Sequence, residues 1–171
     1  FTEMIERETE FAKAGKKAFI KAKMNSLCDA KIIASLYEAS AAGVQIDLVV
    51  RGICCLKTGI PGVSENIHVR SIVGDFLEHS RIFYFHNNGH EEVYMGSADW
   101  MPRNLDKRVE ILFPVEDETL KAEVIHILTI QLQDTLKAHI MQPDGTYRKQ
   151  DLRGKKKLCA QDYFRQEAMK N

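Results

Sequence analysis

Two strand-like runs joined through one amphipathic segment decide what this chain can fold into. Residues 44–50 (VQIDLVV) are rich in β-branched side chains. Residues 18–24 alternate, with Ile20, Ala22 and Met24 on one face and Phe19, Lys21 and Lys23 on the other. Between them Asp29 offers an N-cap, Ile32, Ile33, Leu36 and Ala39 recur at helical spacing over 30–42, and Gly43 supplies a stop. Strand, helix and strand with such short links imply a right-handed crossover and parallel pairing. The expected class is therefore α/β, a mixed β-sheet flanked by α-helices. Open sheets of this kind collect ligands beyond the carboxyl ends of their strands. Arg51 sits at that place, and Gly52 beside it allows a close backbone approach. The two lysines of 18–24 read either as a solvated strand face or as a cationic lining near an anion site.

The antiparallel part of the sheet is expected in residues 76–110. Residues 82–85 (IFYF) form one strand, Asn87-Asn88-Gly89 tolerate the positive φ of a tight reversal, and residues 93–95 (VYM) return. Pairing these strands sets His79-Ser80-Arg81 beside Gly96-Ser97-Ala98-Asp99 at the open end of the hairpin. Those residue types suit phosphoryl or phosphodiester chemistry. An imidazole changes charge near neutral pH and serves as nucleophile or proton carrier. A fixed guanidinium neutralises phosphate oxygens, while a serine hydroxyl and backbone N–H groups orient them.

The remaining segments frame this site. Residues 2–14 predict a helix closed by Gly15, residues 56–66 a polar loop with glycine and proline that serves as a lid or faces substrate, and residues 67–73 a third strand. Residues 108–115 predict a strand on which Arg108 and Glu110 share a face. From Glu116-Asp117-Glu118 a long helix is expected to about His139, with Val124, Ile127, Leu128, Leu132 and Leu136 as its buried stripe. Residues 142–157 are polar and hold Pro143, Gly145 and Gly154, so a domain over 1–141 is expected to be followed by an arm over 142–171 with a short helix at 160–169. The basic run at 153–157 reads as part of a solvated tail.

Composition narrows the partners. The formal charge is zero, from 24 basic and 24 acidic side chains, so a polyanion site must come from local clustering. Cys28, Cys54, Cys55 and Cys159 have no metal-ligand spacing and read as reduced thiols of a cytoplasmic protein. No apolar run approaches the length that spans a bilayer. The chain opens at Phe1 inside an amphipathic pattern, as a piece of a longer polypeptide would.

The spacing of His79 and Arg81 ahead of Gly96-Ser97-Ala98-Asp99 resembles the phospholipase D superfamily pattern His-X-Lys followed by Gly-Ser-X-Asn. It departs from that pattern at Arg81, at Asp99, and at His86, which stands where the motif has an aspartate. KMNSLCD at 23–29, VRGICCL at 50–56, LEHSR at 77–81, GSADWMPRNLDKRVE at 96–110 and PVED at 114–117 together resemble the bacterial polyphosphate kinase family, over residues 1–155. The resemblance is to the C-terminal catalytic domain, the second of two phospholipase-D-like domains. It implies a phospholipase-D-like sheet and reversible transfer of the ATP γ-phosphate to inorganic polyphosphate, through a phosphohistidine in the preceding domain. Mg²⁺ would be held by that domain too, so no metal ligand is expected here. The implied partners are ATP or ADP, polyphosphate and the preceding domains, in a homo-oligomeric parent without nucleic acid. The implied location is the cytoplasm, with peripheral attachment at the inner membrane left open. By motif position His79 matches the second active-site histidine, a proton donor or acceptor, and Glu110 joins it. Arg51 and Arg108 match phosphate clamps, while Arg81, Ser97 and Asp99 match phosphate-binding positions. Two other readings stay open: a binding module for ATP or polyphosphate without chemistry, and a dimeric phosphodiesterase half-site with His79 as nucleophile. Arg81 and His86 count against the latter.

Overall fold

The computed structural model describes residues 1–170. Helix α1 (Thr2–Lys13) leads into strand β1 (Phe19–Met24), helix α2 (Ala30–Ala41) and strand β2 (Gln45–Val50). β1 and β2 run parallel, from Phe19 opposite Gln45 to Met24 opposite Val50, as the crossover requires. The Asp29 carboxylate caps α2 by accepting from the Ile32 N–H at 2.9 Å. Strand β3 (Ile67–Ile72) adds parallel to β2. The hairpin follows: β4 (Ile82–Phe85) pairs antiparallel with both β1 and β5 (Glu92–Gly96). Asn87 and Asn88 at the reversal take φ of 46° and 53°. Helix α3 (Pro102–Lys107), strand β6 (Leu112–Pro114), helix α4 (Glu118–Leu132), strands β7 (Ala138–Met141) and β8 (Tyr147–Lys149), and helix α5 (Ala160–Ala168) complete the chain. The result is one eight-stranded mixed sheet in the order β6-β5-β4-β1-β2-β3-β7-β8.

Both faces of the central strands are covered, which is why they read as continuous apolar runs. On one face Ile20, Ala22, Met24, Ile46, Leu48, Phe83 and Phe85 meet Ile5 of α1 and Ile32 and Leu36 of α2. On the other, Ile82, Tyr84 and Val93 meet Val124 and Leu128 of α4. Lys23 belongs to this second face and is buried, so the solvated-face reading fails for it.

Three expectations are corrected. Residues 108–115 are not one strand: Pro102 presets the first turn of α3, Arg108 is its C-cap, and pairing begins only at Leu112. The helix expected to reach His139 stops at Leu132. The fully buried Asp134 carboxylate accepts from the N–H groups of Lys137, Ala138 and Ala160 at 2.8, 3.0 and 2.7 Å. Those bonds turn the chain into β7, which pairs with β3, and Leu136 leaves the helical stripe for the surface. The stretch expected as an arm from residue 142 is one only in part, because Tyr147–Lys149 pair with β7 and extend the sheet. The terminal helix, by contrast, spans Ala160–Ala168, close to the expected residues.

Because Asp134 alone ties the end of α4, the start of β7 and the start of α5, Asp134→Ala leaves three amides without their acceptor. We expect a loss of roughly 3 kcal/mol of unfolding free energy, read as a lowered urea midpoint. An unchanged midpoint would show that water replaces the carboxylate.

Candidate active site

The carboxyl ends of β1 and β2 meet the start of β4, the end of β5 and the approach to β6 at one edge of the sheet. Lys23 lies opposite Ile82, Ile82 opposite Met95, and Gly96 opposite Leu112. Residues far apart in the chain are thereby brought to one place.

Asp99 is the centre of the site. It is 6% exposed, and both its oxygens are engaged. Arg81 donates to it through Nε at 3.2 Å and Nη2 at 3.1 Å, a forked, charge-assisted pair. The backbone N–H of Asn25 donates to the same carboxylate at 2.8 Å. Asn25 in turn accepts from Arg51 Nε at 3.1 Å. On its other side Arg81 lies along His79, donating to the His79 carbonyl at 2.9 Å, with Nη1 3.3 Å from Nδ1 and Nη2 3.4 Å from Nε2. One chain of contacts thus runs Arg51–Asn25–Asp99–Arg81–His79.

Local structure holds this chain in place. Trp100 is fully buried, stacks on Phe83 with centroids 5.2 Å apart, and its carbonyl accepts from the N–H groups of Cys28 and Asp29. Asp99 is therefore pinned between a core aromatic and the start of α2. Gly52 donates to the Asn25 carbonyl at 2.7 Å, and a Cβ on it would stand 2.9 Å from that oxygen. The close approach expected at Gly52 is the one Asn25 needs.

A second cluster adjoins the first. The Ser97 hydroxyl donates to Glu110 and accepts from the Ile111 N–H at 3.0 Å, and Asn104 donates to Glu110 at 3.0 Å. The hydrogen bond from Ser97 holds the Glu110 carboxyl below its ordinary pKa, helped by Asn104 and by the charges of Arg108 and Arg81. Arg108 itself is exposed.

All seven expected residues lie around this edge. Both oxygens of Asp99 and the hydroxyl of Ser97 are engaged by protein partners, and Asp99 fixes Arg81. Arg108 and Glu110 are not neighbours on a strand face, since no strand covers them. His79 and Arg108 are exposed, and Arg51 is half-buried. Asn25 and Asn104 were missed. Asn25 stands directly after a strand, where a polar residue in a tight turn is a functional signal; Asn104 was hidden with the helix that carries it. On the α4 side His79 borders a cavity of about 360 Å³ with apolar walls from Ile82, Met95, Val124 and Ile127. Among the described residues no three histidine, cysteine, aspartate or glutamate side chains converge to hold a metal ion.

Residues 1–161 match the family described as polyphosphate kinase C-terminal domain 2. The chain is 61% identical over 145 residues to the polyphosphate kinase of Pseudomonas putida, covering 85% of this chain and 20% of that protein. It is 61% identical over 144 residues to the polyphosphate kinase of Synechocystis, with 84% and 20% covered. The chain thus spans about a fifth of the length of these relatives. The crystal structure of polyphosphate kinase from Porphyromonas gingivalis superposes with a TM-score of 0.92 at 46% identity, over 99% of this chain and 27% of that one.

Two outcomes follow from the geometry. Asp99→Ala leaves the guanidinium of Arg81 largely buried without its carboxylate, so the chain should lose about 3 kcal/mol in urea unfolding; a loss below about 0.5 kcal/mol would mean the pair is solvated. Glu110 ionises below its ordinary value, so its contacts contribute stability above about pH 4.3 and lose it as pH falls through the lowered value. The Ile111 amide resonance should follow that loss in an acid NMR titration, and a midpoint at or above the ordinary value would contradict the assignment.

Proposed function

Because the chain belongs to the polyphosphate kinase family, as its C-terminal domain 2, we propose that it supplies one half of a site moving the ATP γ-phosphate reversibly to inorganic polyphosphate. The observation that carries this reading is the continuous contact chain from Arg51 through Asn25, Asp99 and Arg81 to His79. It fixes a guanidinium and an imidazole at one edge, as a phosphoryl group in flight requires.

In this reading the guanidinium groups of Arg51 and Arg108 spread the charge that collects on the transferring phosphoryl oxygens. The phosphoryl group leaves ATP, giving ADP, and is held as a phosphohistidine on the portion of the protein preceding this domain. From there it passes to the terminal oxygen of polyphosphate. His79 gives or takes the proton that this oxygen exchanges as it changes between a terminal and a bridging position. Glu110 sets the position of Ser97 and adds negative charge opposite Arg108. The apolar cavity beside His79 suits the uncharged part of a nucleotide. Asp99 and Glu110 are engaged by Arg81, Asn25, Ser97 and Asn104, so they do not fit a magnesium site, and no step here runs through the metal; Mg²⁺ used by the whole enzyme would be held outside this domain. A cytoplasmic, homo-oligomeric whole protein belongs to the same reading.

The test is a chimera in which this chain replaces the matching fifth of the Pseudomonas putida enzyme. It should make polyphosphate from ATP, and His79→Ala in it should lose at least about 100-fold in turnover. Arg51→Lys should fail to restore the rate lost in Arg51→Ala, because an ammonium cannot replace the fork of a guanidinium. A His79→Ala chimera as fast as its parent would contradict the role. Hydrolysis of bis(p-nitrophenyl) phosphate by the chain alone would favour a phosphodiesterase instead.

A further inference from the structure

Lys23 is among the largest fully buried side chains of the protein, at 1% exposure, and the proposed transfer does not use it. Its Nζ donates to the carbonyl of Glu78 at 3.0 Å and to that of Ser80 at 3.1 Å. These are the carbonyls on either side of His79. The charged groups around the ammonium are the Glu78 and Asp99 carboxylates, which favour its charge, and the Arg51 and Arg81 guanidinium groups, which oppose it. Glu78 is itself held by Gln131 of α4, which donates to its carboxylate at 3.3 Å.

The upstream part of the same loop is fastened separately. The Gln161 amide of α5 accepts from the Phe76 N–H at 3.1 Å and donates to the Phe76 carbonyl at 2.9 Å. Gly74 lies so close that an added Cβ would fall 2.3 Å from the Gln161 amide oxygen. In the turn itself Arg81 holds the His79 carbonyl, which leaves the carbonyls of Glu78 and Ser80 to Lys23.

A buried ammonium costs stability, and an apolar side chain of similar volume would fill the same space without that cost. Packing therefore gives no reason for a lysine here, whereas the two carbonyls do. We propose that Lys23 is a positioning residue for His79: by donating to the carbonyls on both sides of it, the ammonium fixes the turn from which the imidazole meets a phosphate ligand. This rests on the phosphate reading of the site given above.

Burial pulls the Lys23 ammonium down to about 8, with Glu78 opposing and Arg51 assisting the shift. Between that value and the ordinary lysine value of about 10.4, the unfolded chain keeps a proton that the folded chain has released. For this group, raising pH through that window stabilises the fold as a whole. The charge-assisted hold on the Glu78 and Ser80 carbonyls weakens over the same window. A lysine that only filled space would leave the order at His79 unchanged over that window.

The experiment measures backbone order by ¹⁵N relaxation in the wild-type chain, Lys23→Met and Lys23→Arg, with urea unfolding alongside. In Lys23→Met the order parameters of His79 and Ser80 should fall from about 0.85 to below about 0.6 while the urea midpoint holds or rises. The affinity for tripolyphosphate, read at the His79 ring, should drop about tenfold, as loss of charge-assisted hydrogen bonds implies. In the wild type, which needs no substitution, the same loosening should appear on raising pH, with its midpoint near 8. Lys23→Arg should not loosen with pH, because arginine keeps its proton. Unchanged order at His79 in Lys23→Met, or no change in the wild type up to pH about 10, would overturn the proposal. Loosening in Lys23→Met with no response of wild-type His79 to tripolyphosphate would support the clamp and overturn the phosphate reading on which its use rests.

Discussion

The ion pair between Asp99 and Arg81 is the interaction on which the site depends. Both side chains are largely withdrawn from water, at 9% and 14% exposure, so each would be expensive without the other. Pairing alone does not satisfy them. Asp99 also takes the Asn25 N–H, and Arg81 also takes the His79 carbonyl. Each of these contacts fixes a backbone segment from a different part of the chain: the turn after β1, the loop before β4 and the loop after β5. The sheet brings the three segments near one another, and the ion pair sets their orientation.

That division of labour separates what was legible in the sequence from what was not. The crossover through α2 and the hairpin of β4 and β5 were legible because period, capping and turn residues agree within each segment. The place of Arg51 was legible too, directly after the last residue of β2. Helix α3 was not legible: six residues give no periodicity to count, and the one proline and the charges in it suit a loop equally well. The end of α4 was hidden for another reason. Apolar residues continue past Leu132, and only the three backbone amides converging on Asp134 show why the helix stops. Strand β8, with Arg148 and Lys149 on a sheet edge, carries no strand pattern at all.

The roles of single residues were harder still. Ser97 and Asp99 occupy positions where a phosphate-binding motif was expected, yet both spend their hydrogen bonds on protein partners. Lys23 reads in sequence as a polar member of an alternating strand, and its burial becomes visible only once the loop through His79 is laid across it. Sequence shows which residue types are present, and the fold decides which of them retain free valence toward a ligand. The apolar side chains of Val109 and Ile111 are exposed on either side of Glu110.

Under the proposed function, the chain by itself presents a preformed half-site for phosphate, built by the Asp99 network. Its most direct test is an NMR titration of the histidine ring resonances with tripolyphosphate, in the wild type and in Arg51→Ala, at low and high salt. The account predicts a saturable shift of His79 in the wild type, weakened as salt rises and lost in the variant. A shift of His79 of equal size and affinity in Arg51→Ala, or no shift in a folded wild type, would contradict it.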